Sequence, residues 1–239
     1  MTAINWRRAQ ERLGKLYGGT IDGVEGVKSW IGVVDFSAPS QPNGTDAITL
    51  RGRKLAEVAH TFELVTAERV AGFLSNAAHE TGDFKRLREN LYYTTAAQIR
   101  RTWPSRFPTD DSAAPFVRNS EALANKVYAR PKEGNVNPGD GWRYRGGGDF
   151  QTTFLNGYRA TGEDLGLPLV DHPEMIETPS IAILAGLSYW RRNRLAQYFD
   201  AGQPKRGRAK LNTGDPDATN PIGWPDVEAR YNRLMELLV

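Results

Sequence analysis

Cysteine is absent from this chain of 239 residues, which excludes disulfide bonds and thiolate metal sites. Histidine is scarce too, with three copies. His79 has no second histidine four residues on, as zinc-binding helices require, and His60 and His172 stand at no ligand spacing. We therefore expect no metal ion and no cofactor, and we interpret His79 as a structural residue that orients a helix end.

Long apolar runs are also missing. No stretch approaches the length that spans a bilayer, so we expect no stable membrane insertion. The N-terminal residues contain no apolar segment of a secretory signal. We therefore expect synthesis in the cytoplasm, and action outside the membrane would need a separate release route.

The excess of positive charge is small, because 31 basic and 28 acidic residues leave a net charge of +3. A nucleic-acid-binding face is densely basic with little acidic interruption, so we expect no nucleic-acid partner. The mild basic balance favours an anionic polymer instead. We interpret the basic runs 191–194 and 205–208 as solvated surfaces.

Helical periodicity dominates the chain, and strand signals are few. Val70, Phe73 and Ala77 recur at helical spacing, Thr66 precedes this stripe, and Gly82 follows it, which predicts a helix ending near residue 80. Further helices are predicted at 94–102, 120–128, 153–160, 179–199 and 225–238. The expected fold class is mainly α.

Long irregular segments separate these helices, at 103–119, 130–152 and 203–224. Loops of such length in a compact domain are functional or disordered. They carry aromatic residues such as Trp103 and Trp142, which a disordered linker would not keep, so we expect them to form ordered walls of a cleft.

Two carboxylates stand nine residues apart in different surroundings. Glu80 closes an apolar helical stripe, whereas Glu89 follows the basic residues Lys85, Arg86 and Arg88. Partial desolvation favours a protonated carboxyl at Glu80, and the basic neighbours favour an ionised one at Glu89. Glycosidic-bond hydrolysis needs such a pair, one acid for the leaving oxygen and one base for water.

Six short motifs, in order, resemble the lysozyme-like branch of glycoside hydrolase family 19, which contains chitinases and phage endolysins. The match extends over about residues 48–238. The motifs are Ala78-His79-Glu80-Thr81-Gly82-Asp83-Phe84, Arg88-Glu89-Asn90-Leu91-Tyr92-Tyr93, Trp103-Pro104-Ser105-Arg106-Phe107, Glu121 to Tyr128, Gly139 to Gly146, and Gln151-Thr152-Thr153.

The resemblance implies a lysozyme-like bilobal helical domain with long cleft-lining loops. It implies that Glu80 is the general acid, that Glu89 is the general base, and that Thr153 helps to position the water. The reaction should invert the anomeric carbon, with the carboxyls roughly 6.5–9.5 Å apart. Substrate-binding roles are predicted for Gln151, Asn212 and Arg230 from the resemblance, and for Tyr92, Trp103 and Tyr144 as loop aromatics that either stack on sugar rings or pack in the core.

One departure from the family pattern concerns the residues after Arg145. Relatives generally have an arginine at position 147 and an apolar residue at 149, where this chain has Gly147 and Asp149. The three consecutive glycines 146–148 lack the context of a phosphate-binding loop, and we expect close backbone packing there. Asp149 changes the expected local polarity but not the acid and base.

The N-terminal residues resemble a small peptidoglycan-binding module. The turn Asp22-Gly23-Val24-Glu25-Gly26 is followed by a helix that begins near Lys28. A Pro/Ser/Gly-rich joint at 37–45 then predicts a module at 1–40 and a catalytic domain at 46–239. The alternative is that residues 1–40 are a helical extension of the catalytic domain.

The expected function is that of an endolysin that hydrolyses β-1,4 bonds of bacterial peptidoglycan and acts as a monomer on the cell wall after holin-assisted release. One alternative is a chitinase, because chitin presents the same type of linkage. The other is a non-catalytic wall-binding protein, which predicts loss of one acidic residue, whereas Glu80 and Glu89 are both present.

Overall fold

The computed structural model describes residues 1–41 and 43–239. Pro42, part of the predicted joint 37–45, lies outside the described residues. The predicted mainly α fold is confirmed. Within the described residues, β structure is limited to the isolated bridges Ala3–Thr66, Arg88–Gly147 and Gly147–Thr152. No helix in this part of the chain is long and apolar enough to cross a membrane.

The chain divides into two compact units. Unit 1 comprises Met1–Leu87, Gly148–Phe150 and Thr178–Val239, and unit 2 comprises Arg88–Gly147 and Gln151–Glu177. The helices of unit 1 are α1 (Trp6–Leu13), α2 (Val27–Ser37), α3 (Asp46–Val58), α4 (Ala67–Thr81), α10 (Pro179–Arg192), α11 (Ala196–Asp200), α12 (Pro204–Thr213) and α13 (Trp224–Leu238). Those of unit 2 are α5 (Ala96–Thr102), α6 (Asp110–Ala113), α7 (Ser120–Val127), α8 (Asp140–Arg143) and α9 (Phe154–Leu165). Short 3-10 turns lie at Gly14–Leu16, Ala114–Phe116, Pro131–Glu133 and Pro173–Glu177.

Aromatic side chains organise the core of unit 1. Phe73 packs edge-on against Phe150 and Trp190, with ring centroids 5.3 and 5.6 Å apart, and Trp190 stacks on Phe199 at 5.0 Å. A Cβ at Gly207 would lie 2.5 Å from the Phe199 ring, so only glycine allows α12 to approach so closely.

The N-terminal helices belong to this same core. Ala9 and Leu13 of α1 and Trp30 and Val33 of α2 are buried in the hydrophobic cluster of unit 1. Residues 1–40 therefore lie within unit 1, and the predicted boundary after residue 40 does not separate two compact units.

A buried ion pair accounts for the unusual Asp149. Both side chains of the pair are 0% exposed. Arg51 Nε lies 3.0 Å from Asp149 Oδ2, and Nη2 lies 2.6 Å from Oδ1. The Arg51 guanidinium also lies 4.5 Å from the centre of the Phe84 ring. The carboxylate therefore has a structural partner inside unit 1.

Several predictions of secondary structure are wrong. The segments 103–119 and 130–152, expected to be irregular, contain the short helices α6 and α8. Residues 204–213, expected to be irregular, form α12, whose buried residues Gly207, Arg208 and Ala209 present no apolar stripe in the sequence. The single helix expected at 179–199 is interrupted after Arg192, where Asn193 caps α10 and Arg194 adopts a left-handed φ of 51°.

Candidate active site

Glu80 lies in the last turn of α4, in unit 1. The Thr66 side chain accepts a hydrogen bond from the Arg69 amide at the start of this helix. Gly82 ends it with φ 60°, and its amide donates to the Ala78 and His79 carbonyls. These two signals position the Glu80 side chain, which is 23% exposed.

Arg208 forms an ion pair with Glu80. Its Nη1 donates to Glu80 Oε1 and, at 3.3 Å, to Asn76 Oδ1. Its Nε and Nη2 donate to the Ile222 carbonyl at 2.9 and 2.6 Å. The Arg208 side chain is 1% exposed, so the interpretation of 205–208 as a solvated surface is wrong at this residue.

The structure places Asn212 in the same network. Its Oδ1 accepts the Ile222 amide at 3.0 Å, while the Ile222 carbonyl accepts the Arg208 guanidinium. Asn212 therefore holds the segment that orients Arg208, and through Arg208 it is linked to Glu80.

Arg230 serves a structural function in unit 1. Its guanidinium contacts Asp83 Oδ1 and, at 2.7 Å, Asp226 Oδ2, which also lies 2.7 Å from His79 Nδ1. Burial raises the pKa of Asp83, but hydrogen bonds from Ser40 and the charge of Arg230 outweigh it, so this pKa lies below its ordinary value. Arg230 Nε and Nη1 are thus held by two carboxylates, and its substrate-binding function stays a prediction. His79 orients the end of α4, as predicted.

Glu89 lies in unit 2 and accepts a hydrogen bond from Tyr128. The Tyr128 hydroxyl lies 2.6 Å from Glu89 Oε2. Burial, followed by the negative charge of Glu89, raises the pKa of Tyr128, so its hydroxyl stays protonated and donates. A donated hydrogen bond stabilises the ionised form of a carboxyl group.

Backbone and side-chain contacts place Gln151 near Glu89 and join Thr153 to Gln151. The Glu89 amide donates to the Gly146 carbonyl at 2.9 Å. A Cβ at Gly146 would meet Gln151 Oε1 at 2.6 Å and Glu89 Oε2 at 3.4 Å. The Thr153 hydroxyl donates to the Gln151 carbonyl at 2.7 Å, and Gln151 has a left-handed φ of 51°. Unit 2 thus brings Glu89 and Gln151 together at Gly146, whose close packing the sequence predicts, and Thr153 is hydrogen-bonded to the Gln151 backbone.

The basic neighbours of Glu89 in sequence have other partners. Arg88 Nε pairs with Glu177 at 2.7 Å, and its Nη1 contacts the Tyr158 hydroxyl. Lys85 donates to Ser40 in unit 1 at 2.9 Å. The side chains of Lys85 and Arg88 therefore form their hydrogen bonds elsewhere, and Tyr128 is the group that contacts the Glu89 carboxylate.

The three predicted sugar-stacking residues differ in exposure. Tyr92 is 54% exposed. Trp103 is partly buried in the core of unit 2, edge-on to Tyr93 at 5.4 Å. Tyr144 is buried and its hydroxyl donates to the Val170 carbonyl at 3.0 Å. Its ring therefore packs inside unit 2, and the prediction that it stacks on a sugar does not fit.

Sequence reasoning missed the two residues that contact the carboxyl groups. Tyr128 closes a motif shared with the family, which was the available signal for it. No sequence signal indicated Arg208, because the basic residues next to it predict a solvent-exposed surface segment. In the residues that the structure describes, no cluster of His, Asp and Glu could hold a metal ion.

Comparison with known proteins agrees with these motifs. No protein-family model matches the chain. A glycosyl hydrolase family 19 domain-containing protein of Haemophilus influenzae is 33% identical over 128 residues, which are 53% of this chain and 63% of that protein. An endochitinase of Arabidopsis thaliana is 31% identical over 100 residues, which are 40% of this chain and 33% of that protein. The chain thus spans less than two thirds of each relative.

The fold has a counterpart among solved structures. The crystal structure of a chitinase C mutant matches with a TM-score of 0.59 at 17% identity, covering 86% of this chain and 74% of that one. In sequence and in fold, this chain is therefore similar to the family 19 glycoside hydrolases, as its motifs predict.

Proposed function

We propose that this protein is an endolysin-type glycoside hydrolase that cleaves β-1,4 bonds of bacterial peptidoglycan with inversion. Glu80 is the general acid and Glu89 the general base. One observation carries the proposal: each carboxylate has one oxygen in a polar contact, Glu80 with Arg208 and Glu89 with Tyr128. Within the described residues, no hydrogen bond engages the second oxygen of either group.

The chemistry follows from these free oxygens. In its protonated form, Glu80 donates a proton from Oε2 to the glycosidic oxygen as the bond to the anomeric carbon breaks, and the Arg208 contact at Oε1 stabilises the carboxylate that is left. Glu89 Oε1 takes a proton from the water that attacks the anomeric carbon, while Tyr128 holds Oε2. One water is consumed, and each product carries one new hydroxyl group. We assign the orientation of this water to Gln151, which lies beside Glu89, and to the Thr153 hydroxyl, which is hydrogen-bonded to the Gln151 carbonyl.

Charge supports peptidoglycan as the polymer. The net charge of +3 and the basic isoelectric point of about 9.1 suit a substrate whose peptides carry carboxylates. Chitin is uncharged, so the positive charge of the protein does not favour its binding.

A chitinase is the second candidate function. It is favoured by the names of an Arabidopsis thaliana endochitinase among the relatives and of chitinase C among the similar structures. Both polymers present β-1,4 bonds next to N-acetylglucosamine, so the same acid and base serve either.

The experiment compares wild type with Glu80→Gln, Glu89→Gln and the control Glu121→Gln, an exposed carboxylate of α7. Each is incubated with purified sacculi, with permeabilised Gram-negative cells and with chitin hexasaccharide. We expect wild type and the control to clear the cells and release reducing ends on disaccharide-peptides, and both site variants to lose nearly all activity while keeping their circular dichroism.

Cleavage of the hexasaccharide alone would instead support the chitinase. Binding to sacculi without release of reducing ends would support a wall-binding protein. Mass spectrometry of the fragments identifies which sugar carries the new reducing end. Near-normal activity in either site variant would refute the function assigned to that carboxylate.

A further inference from the structure

A basic cavity lies in unit 2, outside the residues assigned to the reaction. Its volume is about 360 Å³. It is lined by Arg106, Ala129, Arg130, Pro131, Lys132 and Glu133. Three cationic side chains face one carboxylate there, so the cavity has a net positive charge.

These cations are available to a ligand. Within the described residues, Arg106 and Lys132 form no ion pair through their side chains. The Arg130 guanidinium lies 5.4 Å from the centre of the Phe154 ring, a contact that leaves its N–H groups free to donate. By contrast, Arg88 pairs with Glu177 and Arg100 with Asp110 in the same unit.

The wall of the cavity is ordered by its own backbone. The amides of Glu133 and Gly134 donate to the carbonyls of Arg130 and Pro131 at 2.9 and 3.0 Å. The buried Asn135 side chain donates to the Tyr128 carbonyl at 2.9 Å. Arg130 and Lys132 are therefore carried by a preformed turn, which reduces the entropy lost when a ligand binds.

A continuous series of contacts links this turn to the candidate base. Glu89 accepts the Tyr128 hydroxyl at 2.6 Å. The Tyr128 ring meets Phe154 edge-on at 5.4 Å, and Phe154 lies under the Arg130 guanidinium. The cavity thus begins one residue after the side chain that holds Glu89.

We propose that this cavity binds carboxylates of the peptide stem attached to the glycan, and so makes the protein prefer peptidoglycan to chitin. The proposal rests on the proposed function and deepens it by assigning a specificity site. Guanidinium and ammonium groups recognise carboxylates by charge-assisted hydrogen bonds. A glycan strand held at Glu89 carries its peptides beside the sugar, whereas a chitin strand carries no acidic group.

The test uses the double variant Arg106→Gln/Lys132→Gln. Its matched control is Arg101→Gln/Lys126→Gln, which removes two exposed cations of unit 2 outside the cavity. The substrates are native sacculi, sacculi whose carboxylates have been amidated with carbodiimide and ammonia, and chitin hexasaccharide. Loss of the two exposed ion pairs that Arg106 and Lys132 would form with substrate carboxylates should raise KM for native sacculi about three- to tenfold. The control variant should show no such rise.

The remaining expectations separate this site from general effects. On amidated sacculi and on hexasaccharide, the cavity variant should match wild type, and its kcat on native sacculi should be unchanged. Equal losses in the control, or equal losses on amidated sacculi, would overturn the proposal. The proposal would also be overturned if wild type hydrolysed native and amidated sacculi with the same KM.

A binding measurement keeps this result distinct from failure of the catalytic assignment. Co-sedimentation with native and amidated sacculi is measured for the Glu80→Gln protein with and without the cavity substitutions. Weaker binding of the cavity variant to native sacculi alone supports the carboxylate site even if no reducing ends form. Unchanged binding refutes it even if the protein is an active hydrolase.

Discussion

The pairing of Arg208 with Glu80 makes a quantitative prediction. Arg208→Met keeps the length of the side chain but removes the charge and all its hydrogen bonds. The Ile222 carbonyl and Asn76 Oδ1 then lose a donor inside the protein, and Glu80 loses its cation. Removing one partner of a buried pair costs about 3–5 kcal/mol. Because the Glu80 side chain is 23% exposed, its charge stays partly hydrated, and we expect about 3 kcal/mol.

The second arm is Glu80→Gln, which keeps an amide oxygen for Arg208. We expect it to cost roughly 1–2 kcal/mol. In the double variant, no carboxylate remains unpaired. Its loss of unfolding free energy should therefore be smaller than the sum of the two single-variant losses by about 1–2 kcal/mol. For a chain of this size, a loss of 3 kcal/mol corresponds to a fall in Tm of about 6–12 °C.

Urea unfolding and thermal melts measure these values. Arg206→Met is the matched control, because this arginine lies on the same helix but forms an exposed pair with Asp217. Exposed pairs contribute about 0–1 kcal/mol. Additive losses in the double variant, or an Arg208→Met loss no larger than that of Arg206→Met, would refute the coupling. A loss of activity in Arg208→Met at a temperature where it is folded would show that the pair also orients Glu80.

Three further predictions concern other contacts. Tyr128→Phe removes the hydrogen bond to Glu89, and we expect kcat on sacculi to fall roughly ten- to hundredfold with an unchanged circular dichroism spectrum; a fall under twofold would contradict the positioning function. Asp149→Ala leaves Arg51 buried without a partner, which should cost about 3–5 kcal/mol in urea unfolding, whereas Asp149→Leu combined with Arg51→Met should lose far less. Burial raises the pKa of Asp83, but donated hydrogen bonds and a nearby guanidinium hold it below its ordinary value, so its stabilisation is present above about pH 4 and is lost as the pH falls through the folded-state pKa. Asp83→Asn should flatten the decline of the urea midpoint below pH 4, and an unchanged pH profile would exclude this contribution.

Local signals were enough to place most helices. For α4, the Thr66 cap, the apolar stripe and the left-handed Gly82 are all short-range features, and each is observed. A cap or a stop acts within one turn of the helix, so its effect can be predicted without knowing the rest of the fold.

Helices packed through small or charged residues could not be predicted in this way. The buried face of α12 is Gly207, Arg208 and Ala209, and it is buried because Phe199 of the preceding helix and the distant Glu80 contact it. The break after Arg192 likewise follows no glycine or proline. Hydrophobic periodicity reports only apolar faces, and neither feature has one.

The sequence by itself determined the helical class and the bounds of α4, and it singled out the two carboxylates for which acid and base functions are proposed. It also singled out Gln151, which lies beside Glu89 in unit 2, and Thr153, which is hydrogen-bonded to the Gln151 carbonyl. Only the tertiary structure decided which group contacts each carboxylate, because those partners lie 128 residues from Glu80 and 39 residues from Glu89 along the chain. Charge and hydrogen bonding act through space, so the protonation and orientation of an acid and a base depend on neighbours that folding brings to them.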